Sequence, residues 1–117
     1  MKRNYQFEDL HVWQKSKKLT VLIYQSFPNK TEPTYRNQIR RAAISVMNNI
    51  AEGYERSECN QYHYFLSIAK GSCGEVRSML SLADELKYTD PLKLREIRSL
   101  SSEISKMLQD LMKKAKA

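Results

Sequence analysis

The sequence predicts an all-α protein, an up-down-up-down antiparallel four-helix bundle built as a single domain over residues 1–117. The chain contains only three glycines and three prolines, and so few chain breakers favour long helices. Apolar residues recur at helical spacing in four segments. The segments between them are short, and short connections make successive helices antiparallel neighbours. We expect helices over residues 9–27, 34–54, 58–87 and 91–114.

The first predicted helix begins where Glu8 and Asp9 place negative charge at a helix N-terminus. It ends before Pro28. Its predicted inner face consists of the apolar residues Leu10, Val12, Trp13, Leu19, Val21, Ile23, Tyr24 and Phe27. Leu22 is the exception, because it falls on the predicted exposed face together with Lys15 and Lys18.

The second predicted helix has Pro33 in a first-turn position and Gly53 as its expected terminator. Its inner face is Tyr35, Ile39, Ala43, Val46, Ile50 and Tyr54. A second apolar strip, Ile44, Met47 and Ala51, lies beyond it, and a polar line of Arg41, Ser45, Asn48 and Glu52 runs alongside. A lone bundle needs one buried stripe per helix, so Leu22, Ile44, Met47 and Ala51 are predicted to form an oligomer interface. The alternative is that they are isolated exposed hydrophobic residues.

The third predicted helix has Ser57 as a candidate N-cap. Its heptad positions are Tyr62, Phe65, Ala69, Ser72, Val76, Met79, Ala83 and Leu86. Gly71 and Gly74 lie inside it, which costs about 1 kcal/mol each relative to alanine. We expect Trp13 or Tyr24 to pack closely there. The fourth helix starts at Asp90-Pro91 and buries Leu94, Ile97, Leu100, Ile104, Leu108 and Leu111.

The chain carries 20 Lys and Arg against 13 Asp and Glu, a net charge of +7. Such an excess favours an anionic partner, either nucleic acid or an acidic protein. Nucleic-acid affinity depends chiefly on cations that meet backbone phosphates. The candidate contacts are Arg40, Arg41, Lys15, Lys18 and Arg56. The same arginines could instead bridge subunits or hold an acidic partner protein.

Catalytic and metal-binding patterns are weak. No nucleophile lies at a spacing that would pair it with a base, so we predict neither catalysis nor a cofactor. Cys59 and His63 are four residues apart, but two ligands do not make a metal site. Two cysteines fit a reducing compartment, and no apolar run reaches the length of a membrane span. We therefore expect a cytoplasmic protein.

Four stretches of this chain resemble a known bacterial family. They are FEDLHVWQKS (7–16), FP (27–28), QIRRAAISVMNNIAEGYER (38–56) and FLSIAKGSCGEVRSMLSLA (65–83). This order and spacing is similar to that of the four-helix-bundle proteins encoded by intervening sequences of large-subunit rRNA genes. The accessory variability proteins of diversity-generating retroelements are related to them.

The resemblance implies a four-helix bundle that assembles into a barrel-like homopentamer. The retroelement relatives bind nucleic acid and a reverse transcriptase, so RNA, DNA or a reverse transcriptase is an implied partner here. The ribosomal relatives have no settled activity. The family signature falls on Phe7, Asp9, Leu10, Trp13, Gln38, Arg40, Arg41, Asn49, Glu52 and Gly53.

Overall fold

Four α-helices follow one another in a computed structural model that describes residues 5–57 and 60–115. A short 3-10 helix, Phe7–Asp9, precedes them. The helices are α1 (His11–Ser26), α2 (Pro33–Glu55), α3 (Tyr62–Leu86) and α4 (Pro91–Lys114). No strand occurs in the described ranges, which confirms the all-α prediction.

The helices form a closed ring of neighbours, in which each packs on the next and α4 packs back on α1. Contacts between helices show that neighbours run in opposite directions. Thr20 of α1 donates a hydrogen bond to the carbonyl of Ala43, and Arg40, earlier on α2, stacks on Tyr24, later on α1. The same reversal relates the other neighbouring pairs. The result is an elongated four-helix bundle of 50 × 23 × 22 Å.

The buried faces of α2 and α4 confirm the predicted periodicity. All six predicted inner residues of α2 are buried, as are five of the six in α4; the sixth, Leu111, is half-buried at the edge of the core. On both helices the predicted apolar stripe therefore marks the side that faces the core.

The buried face of α1 lies elsewhere than predicted. Val21 and Tyr24 are 47% and 39% exposed, whereas Leu22 is 8% exposed and belongs to the core. The prediction that Leu22 lies on the outer face is therefore wrong. Ser16 and Thr20 face inward because each hydroxyl donates to the carbonyl four residues earlier, at 2.7 and 2.9 Å. A hydroxyl that already has a hydrogen-bond partner can be buried at little cost in free energy. Ser16 and Thr20 therefore belong to the buried face of α1, which is rotated relative to the predicted face.

The junction of α2 and α3 also differs from the prediction. α3 begins at Tyr62, because Asn60 adopts a left-handed conformation (φ 59°) and Gln61 is the N-cap; the predicted start at residue 58 lies outside the described residues. Gly53 does not end α2, which continues to Glu55. Instead Gly53 is buried where α3 crosses close by, and a Cβ there would lie 2.9 Å from the Cβ of Phe65.

The core face of α3 is centred beside the predicted heptad. Leu66, Cys73 and Leu80 are completely buried, whereas Leu86 is 48% exposed. The prediction that Trp13 or Tyr24 packs on the small residues of α3 is wrong, since a Cβ at Gly71 or Gly74 would meet no atom within 4 Å.

Among the described helices, none combines the length and apolarity needed to cross a membrane.

Candidate functional site

A groove of about 390 Å³ lies on the outer surface between α1 and α2. One side is formed by Tyr24 of α1, and the other by residues one turn apart on α2. The lining residues are Tyr24, Asn37, Arg40, Arg41 and Ile44. The groove thus combines an exposed aromatic ring, an amide, two guanidinium groups and an aliphatic side chain, and two predicted nucleic-acid contacts are adjacent in it.

Arg40 is committed to contacts within the subunit. Its Nη2 donates to the Phe27 carbonyl at 3.1 Å and to Asn29 Oδ1 at 3.3 Å. The guanidinium carbon lies 4.2 Å from the centre of the Tyr24 ring, a cation–π contact. Arg40 therefore joins α2 to the end of α1 and holds the tyrosine ring in place.

Arg41 is exposed in the same groove. Unlike Arg40, it makes no hydrogen bond or ion pair with any residue that the structure describes. An arginine presents five donors in a planar fork that suits carboxylate and phosphate groups. Arg41 is accordingly the group in the groove that is available to an anionic ligand.

The predicted second strip of α2 remains partly accessible in the subunit. Ile44, Met47 and Ala51 are each half-buried, and the Met47 sulfur lies 3.5 Å from the Thr20 hydroxyl oxygen. Val21 lies three residues before Tyr24 on the same side of α1. Ile44 lines the groove itself, and the exposed Val21 lies on the α1 face that carries Tyr24.

The other predicted basic contacts do not converge on the groove. Lys15 forms a 3.0 Å ion pair with Glu103 of α4, on the opposite side of α1. Lys18 is exposed, but it is turned about 100° from Lys17. Lys17 shares a face with Val21 and Tyr24, and its Nζ lies 5.6 Å from the Trp13 ring centre.

Arg56 lies at the other end of α2, where it is held by three contacts. Its Nε donates to Glu52 at 2.6 Å, and its Nη1 donates to Gln61 at 3.1 Å. The guanidinium also lies 5.5 Å from the Phe65 ring. Arg56 thus organises the turn into α3.

Polar residues of α2 that face α3 hold the two helices together. Gln38 donates to Glu75 at 2.6 Å, and the Ser45 and Ser72 hydroxyls are 2.8 Å apart. Asn49 donates to the Ser45 carbonyl at 2.9 Å. The predicted polar line is consequently divided, because Ser45 serves this internal network while Arg41 and Asn48 are exposed.

Sequence reasoning missed Val21 and Tyr24 as exposed surface residues. The signal was present in the i, i+4, i+7 spacing of Lys17, Val21 and Tyr24. The predicted inner face of α1 instead includes Val21 and Tyr24.

The titratable groups of the interior serve packing. Burial raises the pKa of the Cys73 thiol, whose sulfur contacts the Ser101 carbonyl at 3.2 Å. Such a thiol stays protonated and unreactive at neutral pH. Cys59 lies outside the described residues, and no group of three or more His, Cys, Asp or Glu within them could hold a metal ion.

Comparisons with known proteins agree with this architecture. No curated protein matches the chain. A crystal structure from Bacteroides thetaiotaomicron, described as a protein of unknown function from the S23 ribosomal protein family, superposes with a TM-score of 0.79. The two sequences are 27% identical, and the match covers 87% of this chain and 95% of the other. Residues 8–110 match the family of 23S rRNA-intervening sequence proteins, and the chain belongs to that family.

Proposed function

We propose that this chain is a non-catalytic accessory protein that assembles into a ring-like homo-oligomer, a pentamer, and binds RNA or DNA through basic surfaces. Arg41 is the central contact of each subunit. The proposal includes kinship with the accessory variability proteins of diversity-generating retroelements.

The observation that carries the proposal concerns Arg41, one of the residues of the family signature, whose guanidinium has no partner among the residues that the structure describes. Most of the others have clear tasks inside the subunit. Asp9 caps the first turn at 2.9 Å from the Gln6 amide. Gln38 bonds to Glu75 of α3, Asn49 bonds to Ser45 within α2, and Gly53 allows the close approach of α3. Arg41 makes no hydrogen bond or ion pair with the described residues, so its charge is available to an external partner.

The apolar surface beside the groove supports the assembly. Ile44, Met47 and Ala51 are only half-buried within the subunit, and Val21 of α1 is exposed. Interfaces commonly surround an apolar centre with a polar rim, and Arg41 lies one turn from Ile44, where such a rim would begin. A ring would then present several arginines at once, and linked weak sites can raise affinity by two orders of magnitude or more.

Titration of labelled single-stranded RNA and duplex DNA tests the proposal. We expect binding that weakens between roughly 50 and 200 mM salt, because cations that meet phosphates release counterions. Arg41→Ala should weaken binding and flatten its salt dependence. Arg77→Ala is the matched control, since Arg77 is an exposed arginine on α3. Equal effects of both substitutions would contradict a specific role for Arg41.

A protein scaffold is the second candidate function, with a reverse transcriptase as one possible class of partner. It is favoured by the internal commitments of Lys15, Arg40 and Arg56, which leave fewer cations for phosphates. It is also favoured by Ile44, an apolar residue that lines the groove together with Arg41. No binding of either nucleic acid at low salt would support the scaffold over the nucleic-acid function.

A further inference from the structure

The outer face of α4 carries a row of basic and neutral polar side chains that sequence reasoning missed. They follow one another at spacings of three, four, four, three and four residues, which places them on one face of a helix. The members of this row, together the α4 stripe, are Arg95, Arg98, Ser102, Lys106, Gln109 and Lys113. The α4 stripe is about 27 Å long at the helical rise per residue. It contains four cations and no carboxylate.

The acidic residues of α4 lie on a different side of the helix. Glu96, Glu103 and Asp110 follow one another at intervals of seven residues, and this side faces α1. Glu103 forms an ion pair with Lys15 of α1, and Asp110 lines a cleft together with residues 10–12. The charges of α4 are therefore segregated, with the carboxylates towards α1 and the cations towards α3 and the exterior.

Contacts with α3 show where the α4 stripe begins. Arg95 and Arg98 line one cleft of about 240 Å³ between α3 and α4, so two guanidinium groups are close together there. Asp84 of α3 lines the same cleft. The Arg98 Nη2 donates to the Ser81 hydroxyl at 3.3 Å and lies 4.0 Å from the Asp84 carboxylate. Asp84 therefore offsets at most one of the four positive charges.

The other three cations of the α4 stripe are not neutralised within the subunit. Arg95, Lys106 and Lys113 are exposed, and none of them has a hydrogen bond or ion pair within residues 5–57 and 60–115. Arg95 and Arg98 are also like charges three residues apart on one helix, and such pairs repel each other. An anion bound between the two guanidinium groups would remove that repulsion.

The α4 stripe contains no apolar residue, and this decides which kind of partner fits it. Protein interfaces commonly surround an apolar centre with a polar rim, and the α4 stripe has no such centre. A nucleic-acid backbone is held instead by cations and neutral hydrogen-bond donors. Each strand carries one negative charge per about 3.4 Å of helix axis, so the α4 stripe is long enough to meet several phosphates.

We propose that the α4 stripe is a second contact surface for nucleic acid, along which its four cations meet backbone phosphates without reading the base sequence. The inference rests on the proposed nucleic-acid binding and adds to it a surface apart from Arg41. α4 packs on α1 and α3, whereas the groove that contains Arg41 lies between α1 and α2. The two surfaces are therefore on different sides of the subunit.

A labelled duplex DNA, titrated by fluorescence anisotropy against the full chain, tests this surface. The double variant Lys106→Gln/Lys113→Gln should weaken binding several-fold at roughly 50 mM salt. It should also lower the slope of log affinity against log salt by about 2, one for each phosphate contact that is lost. Lys30→Gln/Lys87→Gln is the matched control, because it removes the same charge from exposed lysines at the end of the bundle. The control should change binding and slope little.

Two further measurements separate phosphate contacts from other effects. Arg95→Gln should lower the salt slope by about 1. Two duplexes of equal length and unrelated sequence should lose affinity equally in each variant, because phosphate contacts carry no sequence information. Circular dichroism and sedimentation should be unchanged, since the substituted side chains have no partner within the described part of the subunit.

The inference is overturned if Lys106→Gln/Lys113→Gln binds duplex DNA as tightly as the unsubstituted chain, if the control variant loses as much affinity, or if only one duplex sequence is affected. It is also overturned if polyglutamate binds as tightly as the duplex, because the α4 stripe would then fit an acidic protein. Arg41→Ala is titrated alongside. If the unsubstituted chain binds no nucleic acid, the proposed function fails as well. If it binds and only Arg41→Ala weakens binding, the α4 surface alone is refuted.

Discussion

Replacement of Gly53 by alanine should destabilise the bundle, although alanine is the better helix former. Gly53 lies inside α2 and is buried against α3. A Cβ at this position would lie 2.9 Å from the Cβ of Phe65, 3.1 Å from Cδ1 of Tyr62 and 3.4 Å from the Tyr62 carbonyl oxygen. Because the Phe65 Cβ is attached directly to the backbone, no side-chain rotation relieves the contact, and α3 must move away from α2.

The expected magnitude follows from two opposing effects. Alanine in place of a mid-helix glycine gains about 1 kcal/mol. Overpacking a tightly filled contact costs about 1–3 kcal/mol, so Gly53→Ala should be destabilising by up to about 2 kcal/mol. Gly71 and Gly74 are matched controls, because a Cβ there meets nothing within 4 Å. Their replacement should stabilise the protein by about 0.5–1 kcal/mol each.

Urea denaturation followed by far-ultraviolet circular dichroism provides the measurement. Because the stability of an oligomer depends on protein concentration, all three variants are compared at one concentration. A midpoint for Gly53→Ala that rises as much as that for Gly71→Ala would refute the close contact of α2 with α3. If instead Gly71→Ala or Gly74→Ala lowers the midpoint, the outer face of α3 is covered by something outside the subunit.

Three further predictions concern the core and the surface. Burial, and secondarily the charge on Tyr88, raises the pKa of Tyr35 in the folded protein. The unfolded chain, in which the Tyr35 pKa is 10.0, therefore loses the phenol proton first as the pH rises. Denaturation midpoints should consequently fall above pH 10. Tyr35→Phe should make the midpoint less dependent on pH in this range. At pH 7 it should lower the free energy of unfolding by about 1 kcal/mol, because the hydrogen bond from the Tyr35 hydroxyl to α3 is lost. Ile104→Ala should lower the free energy of unfolding by about 2–5 kcal/mol, measured by calorimetric melting, because Ile104 is fully buried. Leu92→Ala is the control, and it should change the melting temperature little because Leu92 is 70% exposed. Lys15→Ala should cost less than about 1 kcal/mol in urea denaturation, since the ion pair with Glu103 is exposed to solvent.

The sequence predicts the four helices well where apolar and charged residues alternate sharply. α2 and α4 are of this kind, and their buried residues follow the predicted spacing. α1 is different, because Ser16 and Thr20 are buried after bonding to their own helix. A prediction based on hydrophobicity alone places serine and threonine on the solvent-exposed face of a helix. The buried face was therefore placed too close to Val21 and Tyr24, and Leu22 was placed outside.

The candidate site could be predicted only in part for a similar reason. Periodicity locates Arg40 and Arg41 on α2, but it does not show which guanidinium is free. That difference depends on the Phe27 carbonyl, thirteen residues away from Arg40 in sequence. Lys15 likewise forms an ion pair with Glu103, 88 residues away in sequence. Contacts across the bundle decide which charges remain available, and local sequence patterns do not contain them.

The position of Arg41 determines how the proposed assembly and the proposed nucleic-acid binding could share one surface. If a neighbouring subunit covered the whole groove, Arg41 would be buried without an acidic partner from its own chain, and an unpaired buried charge is costly. The neighbour would then have to supply a carboxylate, and Arg41→Ala should dissociate the oligomer in sedimentation experiments. If the neighbour covers only the strip from Ile44 to Ala51, Arg41 stays at the rim. In that case Arg41→Ala should leave the oligomer intact and weaken nucleic-acid binding alone, which is the result that we expect.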